Sequence, residues 1–233
     1  MPRKLRIYLS DVPQHVIQRG VDRMPTFFAD EDCLFYLSLL QEYTVKHNIQ
    51  LHAYCLMTNH VHLLLSAPEA GYVGKLMQDI GRRYVQYINK VYKRCGTLWQ
   101  GRYKASFVQN QHYLLTCMRY IELNPVRADM VSAPAEYRFS SYGCNALGKV
   151  NPLITPHQEY LQLGTNPTEQ HEQYLALFVH QIDDPEINLI RIATQQGVVV
   201  GDSRFSDMIS QRVGFCVTPK AQGRPKKSNQ ESE

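Results

Sequence analysis

The chain has 233 residues and a net charge of +4, with 44% hydrophobic and 20% charged residues, a balance typical of a folded soluble protein. This composition excludes wholesale disorder, and the apolar runs are far shorter than the ~20 residues of a membrane span. The basic N-terminal residues precede no long apolar block, so we expect no secretory signal. The six cysteines lie 22 or more residues apart in sequence. This spacing favours reduced thiols in a cytoplasmic protein.

The first half of the chain predicts the element order β-α-β-β-α-β-α. Strands are predicted at residues 15–20, 50–57 and 60–66, with a strand or hairpin at 97–108. Helices are predicted at residues 30–47, with Asp30 as N-cap, and at 72–94 and 111–124. Pro125 is expected to end the last helix, because the residue before a proline disfavours helical geometry. This order indicates an α+β domain with helices packed on an antiparallel sheet.

The second half predicts a small, mainly helical extension. We divide the chain into a domain at residues 1–148, an extension at 149–218 and a disordered basic tail at 219–233. Helices at 185–196 and 203–213 resemble a helix-turn-helix pair, with Ser203 as an N-cap and Gly197 and Gly214 as C-caps. The alternative is that the two helices only pack against the domain.

Positive charge is concentrated between Lys75 and Lys104, where eight basic residues accompany a single acid. The segment carries +7, so the other residues together carry −3. Tyrosines and Trp99 are interleaved with the cations. Clustered cations neutralise phosphates and aromatic rings stack on unpaired bases, so the segment favours nucleic-acid binding. The alternative is a solvated helix face whose aromatic residues lie in the core.

His60 and His62 flank Val61 on a predicted strand. Side chains alternate along a strand, so both imidazoles are expected on one face, where they can bind one metal ion. The alternative is a pair of hydrogen-bonded histidines at a sheet surface.

Tyr120 and Asn124 lie four residues apart on a predicted helix and therefore share a face. A tyrosine can attack a phosphodiester and form a covalent phosphotyrosine. An asparagine carbonyl oxygen is a suitable ligand for a hard metal ion. Arg119 and Arg127, near the end of the same helix, can bind phosphates bidentately.

Three motifs together resemble a known family. MTNHVHLL at residues 57–64 resembles the HUH motif, a histidine, a hydrophobic residue and a histidine on a central strand. LWQGRY at 98–103 and RYIELNPVRA at 119–128 resemble the other two signatures. Over residues 10–145 the chain thus resembles the single-tyrosine HUH transposases, specifically the REP-associated tyrosine transposases. The resemblance implies a ferredoxin-like antiparallel sheet with the histidines on a central strand.

The resemblance also implies a mechanism. His60 and His62 match the metal ligands, Tyr120 matches the catalytic tyrosine, and Asn124 takes the place of a third polar ligand for Mg²⁺ or Mn²⁺. The implied activity is cleavage and transfer of single-stranded or hairpin DNA through a 5′-phosphotyrosine, without a nucleotide cofactor, by a monomer or homodimer. The expected DNA-binding residues are Arg82, Arg83, Lys90, Lys93, Arg94, Trp99, Arg102, Lys104, Arg119 and Arg127.

Other functions remain open from the sequence. The chain can be a DNA-hairpin-binding protein that is non-catalytic or serves the host, although the presence of all three motif residues disfavours a silent site. A relaxase or a replication initiator is a further alternative, since both use HUH chemistry. Relaxases generally place the tyrosine before the histidines, opposite to this chain, and initiators often carry helicase domains, for which 233 residues leave no room. A zinc hydrolase would need a clear third histidine or carboxylate ligand.

Overall fold

The computed structural model describes residues 9–110 and 112–219. The strands are β1 (Gln14–Arg19), β2 (Gln50–Met57), β3 (His60–Ser66), β4 (Lys104–Val108) and β5 (Val199–Val200). The α-helices are α1 (Asp30–Lys46), α2 (Tyr72–Val91), α3 (His112–Glu122), α4 (Asn124–Arg127), α5 (Tyr142–Asn145), α6 (Gln158–Leu161), α7 (Pro167–Ala176), α8 (Asp184–Gln196) and α9 (Ser203–Val213). Short 3-10 turns occupy Val21–Arg23, Pro134–Glu136 and Leu177–Val179.

The strands form one sheet in the order β2-β3-β1-β4-β5. The first four are antiparallel, which is the predicted ferredoxin-like arrangement, and β3 with its two histidines lies in the interior of the sheet. β5 departs from the expected all-antiparallel sheet, because it pairs with β4 in parallel. A strand of two residues is too short to be recognised from an alternating sequence pattern. The strand predicted at 97–108 is also shorter, and only its last five residues pair as β4.

Each face of the sheet carries its own helices. Val61, Leu63 and Leu65 of β3 pack in one apolar cluster with residues of α1 and α2. Leu64 of β3 belongs to the cluster on the other face, together with residues of α3 and α8. Both faces are therefore covered, and β3 is buried along almost its whole length.

The core on the α3 side includes residues from both sides of position 148. Tyr174, Ile190 and Val199 from the C-terminal part pack in the same cluster as Ala53 and Cys117. The boundary predicted at 148 therefore falls within a continuous core, and its meaning for independent folding stays a prediction. The basic tail was predicted at 219–233; of it the structure describes only Pro219, and residues 220–233 lie outside the described part.

The helix ends follow the expected physics with two corrections. Gly197 and Gly214 adopt the left-handed conformation, with φ of 69° and 77°, at the C-terminal ends of α8 and α9, as predicted. The side chain that caps α9 is Asp202 rather than Ser203, because its carboxylate accepts from the Phe205 N–H at 2.8 Å. At α1, Asp32 rather than Asp30 accepts from the backbone N–H groups of residues 28 and 29.

Two helices end differently from the prediction. α2 stops at Val91 rather than residue 94. Pro125 interrupts the third predicted helix, but a single turn, α4, follows directly. Among the described residues, no helix has the length and apolar character needed to cross a membrane.

A buried histidine that does not line the cavity described below makes the stability of the fold sensitive to acid. The His52 ring is buried, with Nδ1 2.8 Å from the Thr155 carbonyl oxygen and Nε2 3.0 Å from Ser66 Oγ. Burial lowers the pKa of His52 to about 4 from 6.5. The histidine is neutral in the fold but protonates more readily in the unfolded chain. This contribution to stability is therefore complete above pH 6.5 and is lost as the pH falls towards 4.

We predict that His52→Asn removes a component of about 3 kcal/mol from the pH dependence of the unfolding free energy. Urea titrations between about pH 7 and pH 4 measure this: the gap in stability between wild type and variant should narrow as the pH falls. His180→Asn, at an exposed position, is the control and should retain the wild-type dependence. Equal pH dependence in wild type and His52→Asn would contradict the prediction.

Candidate active site

Strand pairing brings two histidines and an arginine together on one face of the sheet. In the β1–β3 register, Ile17 lies opposite His62 and Arg19 lies opposite His60. Alternation along the strands places these four residues and His15 on the face covered by α3 and α8. The expectation that His60 and His62 share a face is met.

A cavity of about 260 Å³ opens on this face. It is lined by Ile17, Arg19, His60, His62, Gln100, Arg102, Lys104, Tyr120, Asn124, Arg191, Thr194 and Gln195. Four of the lining residues are permanently cationic and none is acidic. The positive charge at this point makes the cavity suited to an anion such as a phosphodiester.

The tautomer of His60 follows from its neighbour. Its Nδ1 lies 2.6 Å from Asn59 Oδ1, while Asn59 Nδ2 donates to the Arg23 carbonyl at 2.8 Å. The second bond fixes the orientation of the amide, so Asn59 Oδ1 accepts from His60 Nδ1–H. The lone pair of His60 is therefore on Nε2.

His62 is buried and is held through its Nδ1, which lies 2.9 Å from His15 Nε2. Burial, with positive charge nearby, lowers the pKa of His62 well below 6.5 and that of His60 to about 4. Both imidazoles are thus neutral at physiological pH. Neutral imidazole is the form that binds metal ions.

Tyr120 of α3 lies beside the histidines. The centroid of its ring is 5.9 Å from that of His62, with an edge-on orientation. On its other side, the Arg127 guanidinium carbon lies 4.1 Å from the ring centroid. Arg127 also donates to the Tyr120 backbone carbonyl. The cation is thereby fixed against the face of the ring.

Asn124 is oriented by the break that Pro125 makes in the helix. Pro125 has no N–H for the Ile121 carbonyl, and Asn124 Nδ2 donates to that carbonyl at 3.2 Å and to the Tyr120 carbonyl at 3.1 Å. Since both bonds use the nitrogen, Oδ1 of Asn124 remains as an acceptor in a residue that lines the cavity.

These residues fit a divalent metal. Two imidazole Nε2 atoms and an amide oxygen are present at one cavity, and the Nδ1 atom of each histidine is held by a hydrogen bond, as is usual for metal-binding histidines. Among residues 9–110 and 112–219, no group of three or more His, Cys, Asp or Glu side chains suits a metal ion. The amide oxygen of Asn124 is a donor of the kind that suits hard ions such as Mg²⁺ or Mn²⁺.

Comparison with known proteins agrees with this geometry. Residues 9–124, about half of the chain, match the model of the family described as transposase IS200 like. Through these residues, the chain belongs to the IS200-like transposase family. Enzymes of this family generally depend on a divalent metal, in agreement with the donors at the cavity. No curated protein matches the chain.

Two solved structures are similar to this IS200-like chain. A REP-associated tyrosine transposase bound to a REP hairpin matches with a TM-score of 0.56 and 14% identity, covering 68% of this chain and 93% of the other. At this identity the match shows the shared fold. A second structure, of a candidate transposase from Deinococcus radiodurans R1, matches with a TM-score of 0.38 and 25% identity over 52% of this chain and 96% of its own.

Two of the expected DNA-binding residues lie elsewhere. Trp99 is only 6% exposed and packs against Tyr36 and Tyr84 in the α1–α2 core, so its ring faces are covered. The tryptophan anchors the loop whose next residues, including Arg102, reach the cavity. Arg119 is 9% exposed, donates to the His180 carbonyl and lies over Phe178, so it serves the packing of the C-terminal part.

The basic residues of α2 and of the short segment after it are not part of the cavity. Arg82, Arg83, Lys90, Lys93 and Arg94 are absent from the cavity lining, and α2 covers the opposite face of the sheet. Arg83 pairs with Glu42 at 2.9 Å. Of the predicted basic segment, Arg102 and Lys104 therefore lie at the cavity. A role of the α2 cations in DNA binding stays a prediction.

Sequence reasoning missed several lining residues. Arg19 belongs to a strand that was predicted, but only the pairing of β1 with β3 shows that it lies opposite His60. Arg191, Thr194 and Gln195 share one face of α8. Their spacing in the sequence indicated that they share a helix face, but the sequence near them did not indicate what that face contacts.

We predict that His60→Ala and His62→Ala each weaken Mn²⁺ binding at least about tenfold, because each removes a neutral imidazole donor. Calorimetric titration of the full chain with Mn²⁺ measures the effect, and circular dichroism checks that the variants fold. His180→Ala, at an exposed position away from the cavity, is the matched control. Unchanged Mn²⁺ affinity in both variants would exclude the two histidines as ligands.

Proposed function

We propose that the chain is a metal-dependent single-stranded DNA endonuclease and strand transferase that acts near DNA hairpins through a 5′-phosphotyrosine. The observation that carries the proposal is the cavity itself. Tyr120, His60, His62 and Asn124 line one cavity, and every charged side chain of its lining is basic. A tyrosine nucleophile next to metal donors within positive charge suits attack on a phosphodiester.

Tyr120 supplies the nucleophile. Its phenolic oxygen bonds to the scissile phosphorus as the bond from phosphorus to the 3′ oxygen breaks. The phenol loses one proton and the leaving 3′ oxygen gains one, so the products are a 5′-phosphotyrosine and a free 3′-hydroxyl. Transfer reverses the step with a different 3′-hydroxyl. The number of phosphoester bonds is unchanged throughout, so no nucleotide cofactor is required.

The neighbouring side chains bind the strand and hold the nucleophile. Arg127 stacks on the Tyr120 ring and donates to its backbone carbonyl, so the guanidinium restricts the ring and stabilises negative charge near it. Arg19, Arg102 and Lys104 neutralise phosphates of the bound strand. His60, His62 and Asn124 would hold the metal ion, which supplies Lewis-acid polarisation of a phosphate oxygen when bound.

The DNA partner is proposed from the family and from one structural relative. That relative, a tyrosine transposase of the same fold, is bound to a REP hairpin. In this chain the cations at the cavity support a DNA partner of the same kind, and the sequence of that DNA is left open.

Tyr120→Phe should abolish the covalent adduct while binding of a DNA hairpin stays within about twofold of wild type, because only the nucleophilic hydroxyl is lost and the ring still packs. Incubation of labelled single-stranded hairpin DNA with the full chain and Mn²⁺, followed by denaturing electrophoresis, detects the adduct. Tyr113 lies on the same helix but does not line the cavity, so Tyr113→Phe is the control and should still form the covalent adduct. An adduct formed by Tyr120→Phe would assign the nucleophile to another residue.

Replacing Arg102 and Lys104 together by glutamine should weaken single-strand binding and reduce its salt dependence. Each phosphate that is no longer neutralised lowers the slope of log K against log salt by about 0.7, so the pair should lower it by about 1.4. Fluorescence anisotropy at several salt concentrations measures the slope. Arg83→Gln, which removes a cation paired with Glu42 on the far face, is the matched control. A larger change in the salt dependence for Arg83→Gln would indicate that the DNA binds at the α2 surface instead.

A further inference from the structure

Helix α8 lies beyond residues 9–124, yet it forms part of the cavity wall. Arg191, Thr194 and Gln195 of α8 are among the lining residues. Thr194 is fully buried and lies against the sheet, where β1 and β4 meet it. The α8 side chain that bonds to both strands is therefore a threonine with no access to solvent.

The proton of the Thr194 hydroxyl can be placed by counting donors. Thr194 Oγ1 lies 2.8 Å from the Ile190 carbonyl oxygen, 2.9 Å from Ser106 Oγ and 3.0 Å from His15 Nδ1. A carbonyl only accepts, and a hydroxyl has one hydrogen, so the Thr194 proton points to Ile190. Thr194 Oγ1 must then accept from both Ser106 and His15. His15 consequently carries its proton on Nδ1.

The same accounting continues to His62. With the proton of neutral His15 on Nδ1, its Nε2 has a lone pair and accepts from His62 Nδ1–H at 2.9 Å. The two rings are nearly parallel, with an interplanar angle of 12°. His62 is thereby left with its lone pair on Nε2. One hydroxyl on α8 determines, through His15, which nitrogen of His62 is available to a ligand.

We propose that Thr194 is a positioning residue that acts through His15 to fix the tautomer and orientation of His62, and that α8 is therefore a component of the active site. This inference rests on the proposed function in one respect: fixing His62 matters for activity because the proposed function makes His62 a metal ligand. The hydrogen-bond chain itself is independent of that function.

A purely structural role is a weaker account of the same residues. Replacing the partners of a buried hydrogen bond by apolar groups of the same shape can be nearly neutral for stability. Valine has nearly the shape of threonine and would fill the same space without the hydroxyl. The polar chain also ends on one of the two proposed metal donors, whereas a packing role would not favour any particular end point.

The test compares Thr194→Val, which removes the hydroxyl and retains the shape, with Thr44→Val as the control. Thr44 is a buried helical threonine on α1, on the opposite side of the sheet from the cavity, and its hydroxyl donates to the Gln41 carbonyl at 3.1 Å. Imidazole nitrogen-15 NMR of the metal-free full chain reports the tautomers, and calorimetry with Mn²⁺ reports the affinity. In Thr194→Val we expect a mixed tautomer at His15 and His62 and about tenfold weaker Mn²⁺ binding. The Thr44→Val control should match wild type.

Thr194→Ser retains the hydroxyl and should restore both readouts. Tautomers and Mn²⁺ affinity unchanged in Thr194→Val, or a Thr194→Ser variant as impaired as Thr194→Val, would overturn the proposal. If Thr194→Val does not fold, the wild-type spectrum decides: Nδ1–H at both His15 and His62 is required, and Nε2–H at either overturns the assignment. Failure of the wild type to bind Mn²⁺ would refute the proposed function and leave the tautomer test intact.

Discussion

The alternation of side chains along β3 is the constraint on which the rest of the structure depends. Val61, Leu63 and Leu65 face α1 and α2, while His60, His62 and Leu64 face α3. An interior strand with both faces covered normally carries apolar side chains throughout. At the N-terminal end of β3, however, the side chains on one face are polar. Several neighbouring elements place polar side chains around this patch. β1 supplies His15 and Arg19, the hairpin turn supplies Asn59, α3 supplies Tyr120 and α8 supplies Thr194.

Burial of this polar patch decides its electrostatics. Desolvation lowers the pKa values of His15, His60 and His62, so the three imidazoles add no charge at neutral pH. The positive potential of the cavity comes from arginines and a lysine at its rim, which stay charged. The two tasks are thereby separated: neutral nitrogen donors lie at the floor and permanent cations lie where a phosphate backbone would pass. A protonated histidine would not serve as a metal donor, because it offers no lone pair.

The sequence predicted those features that local pattern determines. The bounds of β2, β3 and α9 agree with the structure, since each is a clear periodic run with a turn residue or glycine at its end. Periodicity also predicted that His60 and His62 share a strand face and that Tyr120 and Asn124 share a helix face, whereas the meeting of the two pairs at one cavity was implied by the family resemblance. Features that depend on tertiary pairing could not be predicted in this way. β5 exists because two valines meet β4, and Trp99 looks like a base-stacking residue until the α1–α2 core is seen to enclose it.

A buried carboxyl links the C-terminal part to the family-matched residues. Glu122, at the end of α3, is fully buried and accepts hydrogen bonds from Ser141 at 2.6 Å, Asn145 at 2.8 Å and Tyr174 at 2.9 Å. Burial raises the pKa of Glu122 to about 7, and the three hydrogen bonds oppose that rise. The charged form of this buried carboxyl is therefore stabilised mainly by its three donors. Tyr174 comes from α7, far beyond the family-matched residues, and α8 delivers Thr194 to the histidines. The helix that carries the proposed nucleophile is thus held at its end by one C-terminal helix, while the opposite wall of its cavity is built by another. Proline-separated short helices can look like an appendage in sequence and still complete the core and the site of the domain before them.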